Sequence, residues 1–426
     1  MRQPTSMPPR FGVNYTPRTG WFHHWLDFDL DAVRADLDAI AALGVDHVRM
    51  FAVWPLFQPN RGLVRPAALR QLGAMVDAAA ERGLDVSVDG LQGHLSSFDF
   101  VPSWATTWHR QNLFTADGVV AGQAAYLTAI ARELAGRPNF LGMSVGNEFS
   151  QFAGAQHPEP STLTVAEAEH WLRTMLAACT AGAPHAEHHH SEYDAALFDP
   201  QHPFTPQLGA RHGARTTVHS WIFNGTARRY GGLSEQSVRL AAYLVELARA
   251  YGTDPHREVW LQEIGAPAPH VSAAEAPEFA RRTLEHVLDC HGLYGVTWWC
   301  SHDVGRELLD FPELEYSLGL IDQQQRVKAT GSVVAAFAGA RSALAAPAAR
   351  AVGLVLEAGA TSGDDLHAPL RATCAPGGAF FEAWMDLAIA GHRPAVVLAP
   401  FAADPAHLTA RGITHLIQPA EVHAGT

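Results

Sequence analysis

Cysteine is scarce in this chain of 426 residues: only Cys179, Cys290, Cys300 and Cys374 are present, far apart and in no CxxC pair. That excludes a disulfide framework and points to free thiols in a reducing compartment. No apolar run approaches the roughly 18 residues that a membrane-spanning helix needs, and Met1 to Arg10 lacks the apolar segment of a secretory signal. The expectation is a cytoplasmic protein with no membrane partner. Positive charge is also in short supply, with 30 Lys and Arg against 43 Asp and Glu and a net charge of −13. The basic surface that nucleic acid requires is therefore missing.

What is present is globular material. The hydrophobic fraction of 47% and charged fraction of 17% allow a large core and exclude wholesale disorder. The length fits either two or three domains or a single α/β barrel of about 250 residues with an accessory piece. Trp outnumbers Tyr, 11 to 8, which suits a sugar-stacking surface as well as a core.

One unit recurs along the chain: a helix-period stretch ends at glycine and a short β-type apolar run follows. Leu30, Val33, Leu37 and Ile40 form an apolar stripe that Gly44 ends before the run 45–51. The pattern repeats through Gly83 and Gly136, and Thr164 with Glu167 and Ser272 with Glu275 have capping-box spacing that opens two further helices. Eight strands are expected, at 11–14, 45–51, 84–89, 140–145, 186–191, 216–220, 259–263 and 296–300. Parallel strands need helical crossovers, so eight alternating units predict a (β/α)8 TIM barrel over residues 1–343. An open doubly wound sheet is the alternative, disfavoured because Asn14-Tyr15-Thr16-Pro17 stands where a glycine-rich phosphate loop would follow the first strand. After an alanine-rich boundary, residues 344–426 read as a small βαβαβ accessory domain. It is marginal in size for a free domain, so it is expected to dock on the barrel or to form a homo-oligomer contact.

In such a barrel the reactive groups sit at the carboxyl ends of the strands. That selects Arg49 on the second strand, His94 after the third, Asn147-Glu148 at the fourth, His219 and Trp221 at the sixth, Glu263 at the seventh, and Trp298-Trp299 at the eighth. Two glutamates at opposed strand ends can converge over the mouth. Paired carboxylates in an aromatic cleft are what glycosidic cleavage requires, one protonated to release the leaving oxygen and one ionised to attack the anomeric carbon. Arg49 is the obvious cation for keeping a nucleophilic carboxylate charged.

Taken as a set, Arg49, Asn147-Glu148, His219, Glu263 and Trp299 resemble the retaining clan A glycoside hydrolases, and within them family 5, over roughly residues 10 to 340. The stretches 10–17, 92–100, 219–225 and 295–303 look closer still to intracellular bacterial β-mannosidases of that family. The resemblance implies Glu148 as acid/base and Glu263 as nucleophile. It implies Asn147 on the sugar 2-hydroxyl, His219 bridging toward the carboxylates, and a tryptophan, Trp299 rather than Trp298, beneath the sugar. Arg49, His94, Trp221 and Trp298 complete the substrate-binding set, the partner is a short oligosaccharide such as mannosyl-β-1,4-N-acetylglucosamine, and neither cofactor nor metal is needed. Trp221 departs from the family, many members of which carry tyrosine two residues after this histidine.

Other readings compete. An endo-β-mannanase or β-glucanase of the same family would share these residues. The histidine-rich run 185–194 invites a metal, but neighbours on a strand point to opposite faces, and a polar strand end lining the cleft is the preferred reading. A metal-dependent barrel hydrolase of the amidohydrolase kind would want an HxH pair at the first strand end and a lysine at the fourth, where Asn14-Tyr15 and Asn147-Glu148 stand. A sugar-binding barrel without turnover is the weakest, since both glutamates are present.

Overall fold

The computed structural model describes residues 8–92, 94–106, 111–344, 347–357 and 368–424. Seven parallel strands form its main sheet: β1 (Arg10–Asn14), β2 (His47–Phe51), β3 (Asp85–Leu91), β4 (Phe140–Gly146), β5 (Thr216–Ser220), β6 (Val259–Ile264) and β7 (Leu293–Trp298), in the order β4-β3-β2-β1-β7-β6-β5. Helices intervene along the chain, as parallel connections demand. β2, β5 and β6 are buried along their whole length, the condition of strands covered on both faces. The fold is α/β and TIM-barrel-like.

The fifth strand expected at 186–191 is not a regular strand. It makes a single parallel bridge, Ser144 to His189. Glu187 N donates to Leu141 O and His189 N to Met143 O, both at 2.9 Å, which holds the segment against β4. On its other side the tie to β5 runs through a side chain, Thr217 Oγ1 donating to His190 O at 2.6 Å while accepting from Glu192 N at 3.2 Å. Gly142 permits the close approach to β4: a Cβ there would stand 1.8 Å from Glu187 O. The last strand also ends earlier than expected, at Trp298, so Trp299 and Cys300 belong to the loop that follows.

Local chemistry accounts for the helix starts. Asp29 caps Leu30–Ala41 by accepting from Asp31 N and Ala32 N, and Val33, Leu37 and Ile40 are buried against the sheet. Thr164 and Glu167 form the expected capping box of Val165–Gly182. Ser272 and Glu275 do bond to each other, but they form a turn, and the helix begins after it at Ala276 with Pro277 in its first turn.

Residues 352–417 contain a second, three-stranded parallel sheet, β8 (Val352–Leu356), β9 (Ala395–Leu398) and β10 (His415–Ile417), in the order β9-β8-β10. It is docked on the barrel. Phe380, Phe381 and Trp384 share one apolar cluster with the barrel core, and Tyr243 donates to Cys374 O at 2.8 Å. On the helix Glu235–Ala250, the fully buried Glu246 faces Arg249 at 3.5 Å, Arg350 at 3.2 Å and Arg411 at 3.6 Å. Burial opposes its ionisation, but the three guanidinium groups outweigh this and hold its carboxyl below the usual range. Glu246→Gln keeps the volume and strands the buried cations. It is expected to cost about 3 to 5 kcal/mol, read as a lower urea midpoint with far-UV circular dichroism unchanged before the transition.

Candidate active site

Register places the two glutamates. β5 and β6 set His219 opposite Glu263, and β1 and β2 set Asn14 opposite Arg49. Glu148, just past the end of β4, adopts left-handed backbone angles, φ 44° and ψ 31°, which costs a residue other than glycine about 1 to 2 kcal/mol. The turn aims its carboxyl across the mouth of the sheet, and Gln151, one 3-10 turn later, donates back to it. One oxygen of Glu148, one of Glu263 and one ring nitrogen of His219 all lie within 4.8 Å of one another.

Beneath this pair Arg49 is fully buried, and its N–H groups are spent on five neighbours. Nη1 donates to Glu263 Oε1 at 2.7 Å and to Asn14 Oδ1 at 3.0 Å. Nη2 donates to Asn147 Oδ1 at 2.6 Å and Ser191 Oγ at 3.0 Å, and Nε faces the Asp89 carboxylate in an ion pair. Trp221 Nε1 donates to the other oxygen of Glu263 at 3.0 Å. An indole therefore stands where many family members have a phenol, and it keeps the contact to this glutamate. His219 Nδ1 lies 2.5 Å from Glu148 and 3.3 Å from Glu263.

The protonation states follow from these partners. Burial pushes Glu148 up to about 7, against the pull of His94, Gln151 and Arg49. Burial raises Glu263 as well, opposed by His219 and Arg49, and its two close donors, Arg49 and Trp221, both favour the carboxylate. Burial lowers His219 to about 4, so its ring is neutral at neutral pH and bridges the acids by hydrogen bonding. The trio Glu148, His219 and Glu263 has donor atoms near enough to hold a metal, but the Arg49 cation 2.7 Å from Glu263 opposes a second positive charge there.

The glutamates open into a cleft of about 740 Å³, lined among others by His94, Asn147, Trp221 and Trp299. Arg49 and His219 lie below its floor. Trp299 faces the cleft and donates to Glu315. Trp298 does not join them: it is 1% exposed, packed in the apolar core on the face of the strand opposite to Thr297, with its backbone pairing to Val13. The expectation that it binds substrate is corrected, because alternation along the strand sends neighbouring side chains to opposite faces. His188, His189 and His190 are buried too and are absent from the cleft wall; the expected polar lining from this run comes from its end, Tyr193 and Asp194. His188 Nδ1 accepts from Met143 N at 3.2 Å, His189 Nε2 meets Gln262 Nε2 at 2.9 Å, and His190 pairs with Glu192 at 2.5 Å.

Several cleft residues escaped the sequence reading. Ser96 and Ser97, at the tip of the hairpin pairing His94–Leu95 with Phe98–Asp99, both have positive φ. Ser96 Oγ donates to Glu315 at 3.0 Å, and burial pushes Glu315 up to about 7. Asp89 and Gln151 were also missed. Asp89 could have been found, since alternation puts it on the same face of β3 as Ser87, opposite Arg49 in the register. Glu315 lies well past the last strand in a 3-10 turn, where no periodicity marks it.

Neither a protein-family model nor a curated protein matches the chain, but solved structures do. A GH5_18 enzyme of Streptomyces cattleya, a glutamate-to-alanine variant in complex with Manβ1-4GlcNAc, is 62% identical, with 97% of this chain and 100% of that one covered and a TM-score of 0.95. The chain belongs to glycoside hydrolase family 5. A GH5_18 enzyme of Bifidobacterium longum, also a glutamate-to-alanine variant in complex with Manβ1-4GlcNAc, is 41% identical with 96% of each chain covered and a TM-score of 0.92. An exo-β-1,4-mannosidase of Opitutaceae bacterium strain TAV5 is 25% identical, with 92% of this chain and 70% of that one covered and a TM-score of 0.77. In this family 5 enzyme the buried Glu148 has a measurable signature in stability. Its pKa is raised on folding from 4.5 to about 7, so its contribution is full below pH 4.5 and is lost as pH rises through 7. Thermal melts of wild type and Glu148→Gln across that range should diverge, the variant gaining in relative Tm up to about pH 7 and the difference levelling above it.

Proposed function

We propose that the chain is a retaining exo-β-mannosidase that cleaves short β-mannosides such as Manβ1-4GlcNAc. The observation that carries this is the carboxyl pair, oxygens within 4.8 Å, too close to admit the water that an inverting mechanism places between its acids. The known relatives in complex with Manβ1-4GlcNAc support the sugar. Glu263 attacks the anomeric carbon while Glu148 gives its proton to the departing oxygen, leaving a mannosyl ester. Glu148, now a base, takes a proton from water, whose oxygen attacks the same carbon and frees Glu263. Asn147 spends its oxygen on Arg49 and one amide hydrogen on His94 O, which leaves a second amide hydrogen for a sugar hydroxyl. Trp299 is the stacking surface.

The Ser96 to Glu315 bond ties the hairpin after β3 to the turn after β7 beside Trp299, which supports a cleft that stops the non-reducing end and hence exo action. Seven strands with the segment 186–191 at the eighth position are read as a closed (β/α)8 barrel, and residues 344–426 as its accessory domain. Four buried free cysteines suit the reducing cytoplasm; among the described residues no helix is long and apolar enough to cross a membrane.

Glu263→Ala should lower kcat for an aryl β-mannoside by at least about 10³-fold, and azide should restore turnover with an inverted glycosyl azide as product. Restoration with retained configuration would reassign the nucleophile. Because Glu148 must carry its proton and titrates near 7, kcat/KM should fall about tenfold per pH unit above that value. Wild type should release mannose from Manβ1-4GlcNAc without reducing the viscosity of long mannan; a viscosity drop would indicate an endo enzyme.

A further inference from the structure

The histidine-rich run carries a buried carboxylate that the proposed mechanism leaves idle. His190 and Glu192 turn toward each other, His190 Nε2 lying 2.5 Å from Glu192 Oε1, and the hydroxyl of Thr217 ties the backbone of both to β5. The rings of Trp171 and Phe204 stand 6.2 and 5.5 Å from the imidazole, centroid to centroid, and close it off from water. A buried pair of this kind contributes little over well-packed apolar side chains, so stability alone does not explain it.

Its place beside the acid does. The other oxygen of Glu192 accepts from Ser150 Oγ at 2.6 Å. Ser150 belongs to the 3-10 turn Phe149–Ala153 that Glu148 caps in its left-handed conformation, and the next residue, Gln151, donates to Glu148 itself. Two carboxyl groups therefore grip one strained turn, Glu148 from within it and Glu192 from outside, and among the described residues Glu192 is not part of the cleft wall. Burial opposes the ionisation of Glu192, but the charge and hydrogen bond of His190, with the bond from Ser150, outweigh it and hold this carboxyl below the usual range. A carboxylate there opposes a second negative charge on Glu148, adding to burial, while His94 and Arg49 pull the other way. His219, Glu263, Asp194 and Tyr193 also face Glu148; His202 and Tyr193 also face Glu192.

We infer that Glu192, anchored by His190, is a positioning residue for the acid: bonded to Ser150 it fixes the turn that carries Glu148, and its charge keeps the proton on Glu148 until the departing oxygen takes it. The inference rests on the proposed role of Glu148 as proton donor for its effect on rate, though not for its effect on proton affinity. It gives the run 185–194 a part in the reaction without contact with substrate.

Glu192→Gln in the full chain keeps the volume and an acceptor for Ser150 and removes the charge. Thermal melts with and without Glu148→Gln, made in that background, should level off at a pH lower than in the wild-type background by about half a pH unit or more. The alkaline limb of kcat/KM for Manβ1-4GlcNAc should move down by the same interval, a loss about threefold greater at pH 8 than at pH 5. A role in packing alone would lower Tm alike at every pH and leave both values in place. Should Glu192→Gln fail to accumulate as folded protein, His190→Gln takes its place: without its partner, burial returns the proton to Glu192, and both values move the same way. Melts that level off within about 0.2 pH unit of the wild-type value, or at a higher pH, overturn the inference. If the melts move and the limb does not, the inference stands and the assignment of Glu148 as proton donor falls.

Discussion

The site is organised around one buried cation. Arg49 has N–H groups in a fixed planar fork, and they reach Asn14 on β1, Asp89 on β3, Asn147 beyond β4, Ser191 in the irregular fifth segment and Glu263 on β6. A guanidinium taken wholly out of water is tolerable only when paired and hydrogen-bonded on every side. That requirement fixes the relative heights of five strand ends at once. The glutamates inherit their geometry from it: Glu263 by direct contact, and Glu148 because the asparagine before it is held by the same fork.

Sharing the cation also sets its chemical effect. Asp89 and Glu263 divide one positive charge between them, so neither carboxylate receives the full stabilisation of a private ion pair. For Glu263 as the proposed nucleophile, which must be ionised yet still reactive toward carbon, a half share of Arg49 suits both needs. Trp221 adds a single neutral donor. A phenol at this place could accept or release a proton as well as donate; an indole can only donate, so the substitution keeps the orienting bond and removes a titrating group from beside Glu263. Glu148 has no direct cation contact, and burial pushes it up to about 7. Burial raises both side chains, but of the two it is Glu263 that has the Arg49 contact favouring the carboxylate, an asymmetry that suits the proposed division into acid and nucleophile.

Much of this was legible in the sequence because it depends on strand ends. Regular spacing from glycine to apolar run located β1 to β4 and β5 to β7 within a few residues, and their carboxyl ends held Arg49, Asn147, Glu148, His219 and Glu263. The fifth segment was legible as an element but not as the wrong kind of element: its ties include side-chain bonds such as Thr217 to His190 O, and bonding pattern cannot be read from residue type. The histidines there attracted a chemical reading because their burial was invisible. Trp298 and Trp299 could not be separated until the end of β7 was known, since a shift of one residue exchanges faces. Glu315 and Pro376 come to the cleft through tertiary packing alone, and nothing local announces them.

The charge of the cleft narrows what it can hold. Glu148, Glu263 and Glu315 lie in one hollow with Asp194 and Asp199, five acids against the two basic side chains Arg228 and His94 on the same wall. Burial already drives Glu315 to about 7 and Asp194 to about 6, which shows how little further negative charge the space will accept. A sugar carrying a carboxylate would add to that repulsion at low local dielectric, where it counts most. A neutral sugar brings hydroxyl donors instead, and carboxyl groups in either protonation state can accept from them. Each acid that would repel a uronic acid is also a possible hydrogen-bond acceptor for a neutral hexose, so the same side chains would serve both exclusion and binding.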